Sequence, residues 1–147
     1  MKRLGCLAFV LGALLAAGVS APKADLVVAA DGSGDFKTLQ AAIDAVPADS
    51  DARTVILVRN GTYPELIVVP AEKKKLTIRG EDRKRTIIAA ANNARLNLQR
   101  REMFSMLADD FRLENVPLHN TTPKGGTQAE AIRVRADRVV LDRCDFK

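Results

Sequence analysis

Gln128 is the residue of this chain best suited to a chemical role. It lies in the stretch Gly126-Thr-Gln-Ala-Glu-Ala-Ile-Arg-Val134, which also carries Glu130 and Arg133. An esterase can dispense with serine by using a carboxylate nucleophile, and a glutamine amide can then stabilise the oxyanion. The commoner routes find little support. No Gly-x-Ser-x-Gly elbow occurs, and His119 is the only histidine, which reads as a satisfied or exposed surface residue. The chain has two cysteines, Cys6 and Cys144, and with one histidine they fall short of a structural zinc site, so no metal is expected. Asp31 and Asp35 flank Gly32-Ser33-Gly34. That cluster lacks the third glycine of a dinucleotide loop and the Gly-Lys-Ser/Thr of a phosphate loop. It reads as a turn, with the aspartates bonding their own backbone.

The remaining elements must position that stretch. Residues 1–21 read as a signal peptide. Lys2 and Arg3 precede an uncharged apolar run from Leu4 to Val19, with small residues near Ala21. The run is short for a membrane span, so the mature chain is expected outside the cytoplasm, secreted or periplasmic, with no stable membrane insertion. Cleavage would leave Cys144 alone, without an internal disulfide. Loss of Lys2 and Arg3 lowers the formal charge from +5 to +3, a mild basicity that suits an acidic polymer. The runs Lys73-Lys74-Lys75, Arg83-Lys84-Arg85 and Arg100-Arg101 are interrupted by acids and lack interleaved aromatics. They read as solvated loops, and no nucleic acid is expected.

One helix is expected, over Leu39–Val46, capped by Thr38 and ended by Pro47. Leu39, Ala42, Ile43 and Val46 share a face, as in a lid. Elsewhere short apolar runs alternate with turns. Strands are expected at Leu26–Ala30, Thr54–Val58, Leu66–Val69, Leu76–Ile78, Thr86–Ala89, Met103–Leu107, Phe111–Leu113, Val116–Leu118, Ala131–Val134 and Val139–Leu141, with a last one at Cys144–Phe146. Between them, Ala90–Arg101 is polar and irregular. Leu76-Thr-Ile78, Phe111-Arg-Leu113 and Val139-Val-Leu141 form a loose repeat, with starts 35 and 28 residues apart. Their first and third residues face one side; Thr77, Arg79, Arg112, Glu114, Val140 and Asp142 face the other. Short strands and a loose repeat argue for an all-β solenoid, a parallel β-helix. A β-sandwich is the alternative, with Asn60-Gly61 as its one good hairpin turn.

Several stretches resemble the pectin methylesterase family in order and spacing. They are Asp31-Gly-Ser-Gly-Asp-Phe-Lys-Thr38 with Leu39-Gln-Ala-Ala-Ile43; Val55-Ile-Leu-Val-Arg-Asn-Gly61-Thr-Tyr63 with Glu65; Leu76-Thr-Ile-Arg-Gly80; Thr86-Ile-Ile88; Phe111-Arg-Leu-Glu-Asn115; and Gln128-Ala-Glu-Ala-Ile-Arg-Val134. The resemblance runs from about Asp25 to the end. It implies a right-handed parallel β-helix, a single-stranded solenoid with a short N-terminal capping helix. It further implies hydrolysis of galacturonate methyl esters in pectin by a monomer without cofactor. In that family two aspartates act as nucleophile and as acid then base, two glutamines hold the oxyanion, and an arginine positions the nucleophile.

Gln128 matches the first glutamine. The second glutamine and the acid belong to a Gln-Asp-Thr-Leu stretch expected after Cys144-Asp-Phe146, with the nucleophile and arginine further on. Residues 22–147 are therefore expected to be the N-terminal part of such a domain, truncated at its C-terminal side. The catalytic aspartate pair would be absent and the chain alone inactive, and marginally stable or aggregating. Glu130 stands where the family usually has valine, close to an anion-binding groove, which could alter preference between methylated and free sugars. The region around Leu98 lacks a threonine that often contacts substrate. Arg133 projects outward if Ile132 and Val134 point inward, so that it could meet a galacturonate carboxylate; a solvated strand face is the other reading. A catalytically inactive β-helix module that binds acidic polysaccharide is the alternative function.

Overall fold

The computed structural model describes residues 23–147; the expected signal peptide, residues 1–21, lies outside the described residues. The chain winds through β1 (Leu26–Val28), α1 (Leu39–Ala45), β2 (Thr54–Val58), β3 (Gly61–Tyr63), β4 (Ile67–Val69), β5 (Leu76–Gly80), β6 (Thr86–Ala90), β7 (Glu102–Met106), β8 (Arg112–Glu114), β9 (Leu118–Asn120), β10 (Glu130–Val134) and β11 (Val140–Asp142). These strands form three parallel sheets, in the orders β1-β2-β5-β8-β11, β3-β6-β9 and β10-β7-β4. From β2 onward successive strands enter successive sheets, so each circuit adds one strand to every face; β1 and β2, joined through α1, both lie in the first sheet. The result is a right-handed parallel β-helix.

Register is set by columns of apolar residues that stack coil upon coil. Ile56 pairs with Ile78, Ile78 with Leu113, and Leu113 with Leu141. Tyr63, Ile88 and Leu118 form a second column, and Ile67, Phe104 and Ile132 a third. A one-residue slip would turn every one of these side chains outward, which is why the loose sequence repeat suffices to fix the pairing. Ile56, Ile67, Ile78, Ile88, Phe104 and Leu113 are fully buried. Each such side chain contributes about 1.5–3 kcal/mol relative to exposure.

The corners repeat too. Lys75, Asp110 and Arg138 precede the three stacked strands, and all have left-handed backbone, with φ of 53°, 57° and 56°. Asn115 and Arg143 do the same at the exits, with φ of 58° and 53°. Gly80 holds the equivalent exit position one coil earlier, where a Cβ would lie 2.3 Å from the Asn115 carbonyl oxygen.

The helix closes one end of the stack. Thr38 accepts a hydrogen bond from the Ala41 amide, as expected of a cap. Glu65 caps from a distance, its two carboxylate oxygens taking the Leu39 and Gln40 amides at 2.8 and 3.0 Å. Leu39, Ala42 and Ile43 are buried beneath it. Lys73 departs from the solvated-loop reading of its basic run. It is 9% exposed, and its ammonium donates to the Asp44 and Val46 carbonyls at the helix C-terminus.

Three sequence expectations are corrected. Asn60-Gly61 is not a hairpin turn: Gly61 opens β3, which joins a different sheet from β2, and no strand pairing among the described residues is antiparallel. The strand expected at Val116–Leu118 begins only at Leu118, because Pro117 has no amide to give to a ladder. The strand expected at Cys144–Phe146 reduces to one bridge between Leu118 and Phe146.

Candidate functional site

The long connection from β6 to β7 walls a cleft against β10. Ile78 to Leu113 is the 35-residue coil, against 28 from Leu113 to Leu141. By register, five of its seven extra residues fall between Ile78 and Ile88 and two between Ile88 and Phe104, where residues 91–101 bulge between β6 and β7. Asparagines anchor the base of that bulge. The Asn92 amide donates to the Arg100 and Glu102 carbonyls at 2.8 and 2.7 Å. One coil on, the Asn120 amide donates to the Asn92 and Glu130 carbonyls at 2.8 and 3.0 Å, and the Thr122 hydroxyl donates to the Asn92 carbonyl at 3.0 Å. The Ala94 amide donates to the Gln128 carbonyl at 3.0 Å, which ties the bulge to the loop leading into β10.

A cleft of about 400 Å³ results, lined by Ala94, Leu98, Gln99, Arg101, Arg133 and Arg135. Leu98 is 92% exposed and gives the cleft an apolar edge. Gln128 sits at its margin, exposed, with its side-chain oxygen accepting from Arg101 Nη1 at 2.5 Å. A guanidinium only donates, so this contact fixes which end of the amide is which. The Gln128 NH₂ group therefore points away, without a partner among the described residues.

Glu130 is the hub of the site. Arg133 grips it side-on, Nε to Oε2 at 2.8 Å and Nη2 to Oε1 at 2.9 Å, and Arg101 Nε also donates to Oε1. The Arg133 hydrogen bonds, followed by that from Arg101, hold the Glu130 carboxyl at about 2, well below its ordinary 4.5. The same pair raises the Arg133 guanidinium, through its hydrogen bond to Glu130 first. Behind them Glu102, 3% exposed, places Oε2 3.2 Å from Arg133 Nη1. That contact is an ion pair without hydrogen-bond alignment, since Oε2 is buried with no hydrogen-bond partner.

The sequence profile of the Pectinesterase family matches residues 25–147. The chain belongs to the pectinesterase family. Over 124 residues it is 37% identical to a pectinesterase of Daucus carota, spanning 83% of this chain and 39% of that protein. Over 130 residues it is 35% identical to pectinesterase 4 of Arabidopsis thaliana, spanning 84% and 22%. Its fold superposes on the carrot pectin methylesterase with a TM-score of 0.81 at 35% identity, covering 85% of this chain and 40% of that one. A pectin methylesterase solved with a bound hexasaccharide gives 0.73 at 26% identity, covering 84% and 43%. The chain thus spans about two-fifths or less of the length of these relatives.

In this pectinesterase-family chain Gln128, Glu130 and Arg133 do come together, but not as three independent groups. Glu130 and Arg133 are partners of one another. The sequence reading saw Arg101 only as part of a basic run, and missed Glu102 and Arg135. Strand register was the missing signal: Glu130 pairs with Glu102 across β10 and β7. His119 is partly buried on β9, and burial, then Lys147, holds its imidazole below the ordinary range. Asp31 takes the Ser33 amide and hydroxyl at 2.9 and 2.7 Å, as a turn former does. Among the described residues no group of three metal-ligating side chains occurs, and no helix is long and apolar enough to cross a membrane.

Proposed function

We propose that the protein carrying this chain removes methyl esters from galacturonate in pectin. On this reading residues 1–21 direct export to a secreted or periplasmic location, and residues 22–147 form the opening part of a monomeric β-helix domain. Gln128 would donate its outward NH₂ to the oxyanion that forms when the ester carbonyl is attacked. The observation that carries the reading is this amide, held by Arg101 with its donors facing outward at the margin of a cleft, within a chain matching the family from residue 25.

Nucleophile and acid would come from aspartates outside these 147 residues. The carboxylates placed beside Gln128 suit neither role. Glu130 is held by two arginines and stays ionised down to about pH 2, so it cannot give a proton at working pH. Glu102 is buried behind Arg133. Neither a cofactor nor a metal is called for by ester hydrolysis through a carboxylate nucleophile. A second reading, an inert module for acidic polysaccharide, draws on the three arginines of the cleft.

Methanol release from methyl-esterified pectin separates the two. The 147-residue chain alone is expected to release none. A chimera in which residues 23–147 replace the matching part of the carrot enzyme is expected to release methanol, and Gln128→Ala in it should slow release by about 10²–10³-fold. Turnover by the 147 residues alone would overturn the placement of the aspartates elsewhere. An unimpaired Gln128→Ala chimera would overturn the role of the amide. A folded chimera that binds polygalacturonate without turnover would favour the inert module.

A further inference from the structure

Three arginines line the cleft, and they are not equivalent. Arg101 and Arg133 converge on Glu130, and Arg133 also faces Glu102. Two guanidinium groups and two carboxylates leave that end of the cleft close to neutral. Arg135 follows β10 directly. Strand periodicity puts it on the same face as Arg133, about 7 Å further along at ~3.3 Å per residue. Its backbone amide is fixed by a 2.8 Å hydrogen bond to the Met106 carbonyl. Its side chain is exposed, with no hydrogen bond or ion pair among the described residues. The unspent positive charge of the cleft is therefore at Arg135 rather than at Arg133, which the sequence offered as a candidate beside a solvated strand face.

We propose that Arg135 is the cleft's binding residue for a free carboxylate of an acidic glycan, while Glu130 closes the other two arginines to such a group. This rests on the galacturonide-ester reading above. A guanidinium presents paired donors that match a carboxylate. Beside Gln128 an anionic sugar would meet the Glu130 carboxylate and find both nearby guanidinium groups engaged, whereas an uncharged methyl ester would meet no like charge. The cleft thereby selects a partly de-esterified chain, with an ester at Gln128 and a free acid at Arg135.

The test is calorimetric binding to the protein that carries this chain, using two hexagalacturonides, one fully methyl-esterified and one with alternate carboxylates free. Wild type is expected to prefer the partly free form by about five-fold, the upper range for an exposed ion pair. Arg135→Gln should abolish that preference and leave affinity for the full ester within two-fold, and Arg135→Lys should keep part of it. Arg135 is exposed and its side chain unpartnered, so these variants should fold; far-ultraviolet circular dichroism checks this. A preference that survives in Arg135→Gln, or an equal loss for both ligands, would overturn the assignment of Arg135 and leave the ester reading standing. If wild type binds neither hexagalacturonide, the ester reading falls, and this inference falls with it.

Discussion

Replacing Arg133 with leucine tests whether the Glu102–Arg133–Glu130 cluster is a framework or a loose surface pair. The substitution keeps an aliphatic stem and removes three charged contacts, at 2.8 and 2.9 Å to Glu130 and 3.2 Å to Glu102. The Glu130 side chain is 30% exposed and keeps Arg101, so its share is modest, about 0.5–1 kcal/mol. The Glu102 side chain is 4% exposed, and its Oε2 has no hydrogen bond to fall back on. Stranding a buried charge costs about 3–5 kcal/mol. Because Arg133 itself is 20% exposed and water can enter its place, we take the lower end for Glu102, about 3 kcal/mol, and expect about 3.5 kcal/mol with the Glu130 share. With a urea dependence of about 2 kcal/mol per molar, the unfolding midpoint should fall by roughly 1.8 M. Circular dichroism of the protein that carries this chain is the suitable probe, since it reports the loss of β-structure directly. The control is Glu102→Gln with Arg133→Leu, in which no charge is stranded and most of the loss should be recovered. A midpoint shift under about 0.3 M, or an equal loss with and without the Glu102 carboxylate, would refute the reasoning.

Three further outcomes are expected. Glu65→Ala removes the acceptor of the Leu39 and Gln40 amides and should cost about 2 kcal/mol in denaturant unfolding, with faster amide exchange at those two positions; unchanged exchange would contradict the distant cap. Gly80→Ala would press a Cβ to 2.3 Å from the Asn115 carbonyl oxygen, a backbone clash that should lower stability by at least about 2 kcal/mol, where an unstrained site would gain from alanine. The Glu130 carboxyl is lowered from 4.5 to about 2 by Arg133 and then Arg101, so its stabilising contribution is complete above pH 4.5 and is lost as pH falls through 2. Titration of the Glu130 carboxyl carbon by NMR should follow that window, and a midpoint near 4.5 would contradict it.

The fold could be read from the chain because it depends on a one-dimensional pattern. A parallel β-helix asks only that short apolar runs recur and that inward positions alternate. The pairing of Ile78 with Leu113 and of Leu113 with Leu141 matches the alignment of the three repeated motifs. Thr38 and the apolar stripe of α1 were legible for the same reason, being local. Glu65 as a cap and Lys73 beneath the helix C-terminus were not, since each acts across more than 25 residues of sequence. Strand ends shifted by one or two residues, because ladder partners rather than propensity decide where pairing stops.

The site divides along the same line. Sequence singled out Gln128, Glu130 and Arg133 through their resemblance to the pectin methylesterase pattern, and Ala90–Arg101 stood out as polar and irregular. What each group can do was decided by stacking. Only when β10 lies on β7 does Glu102 come beneath Arg133 and Arg101 beside Gln128. That contact turns the glutamine's donors outward, closes Arg133 on two carboxylates, and leaves Arg135 as the cation facing the cleft. Charge compensation is a property of neighbours in space. A chain read in order lists its charges; the coil stacked upon the next one decides which of them are spent.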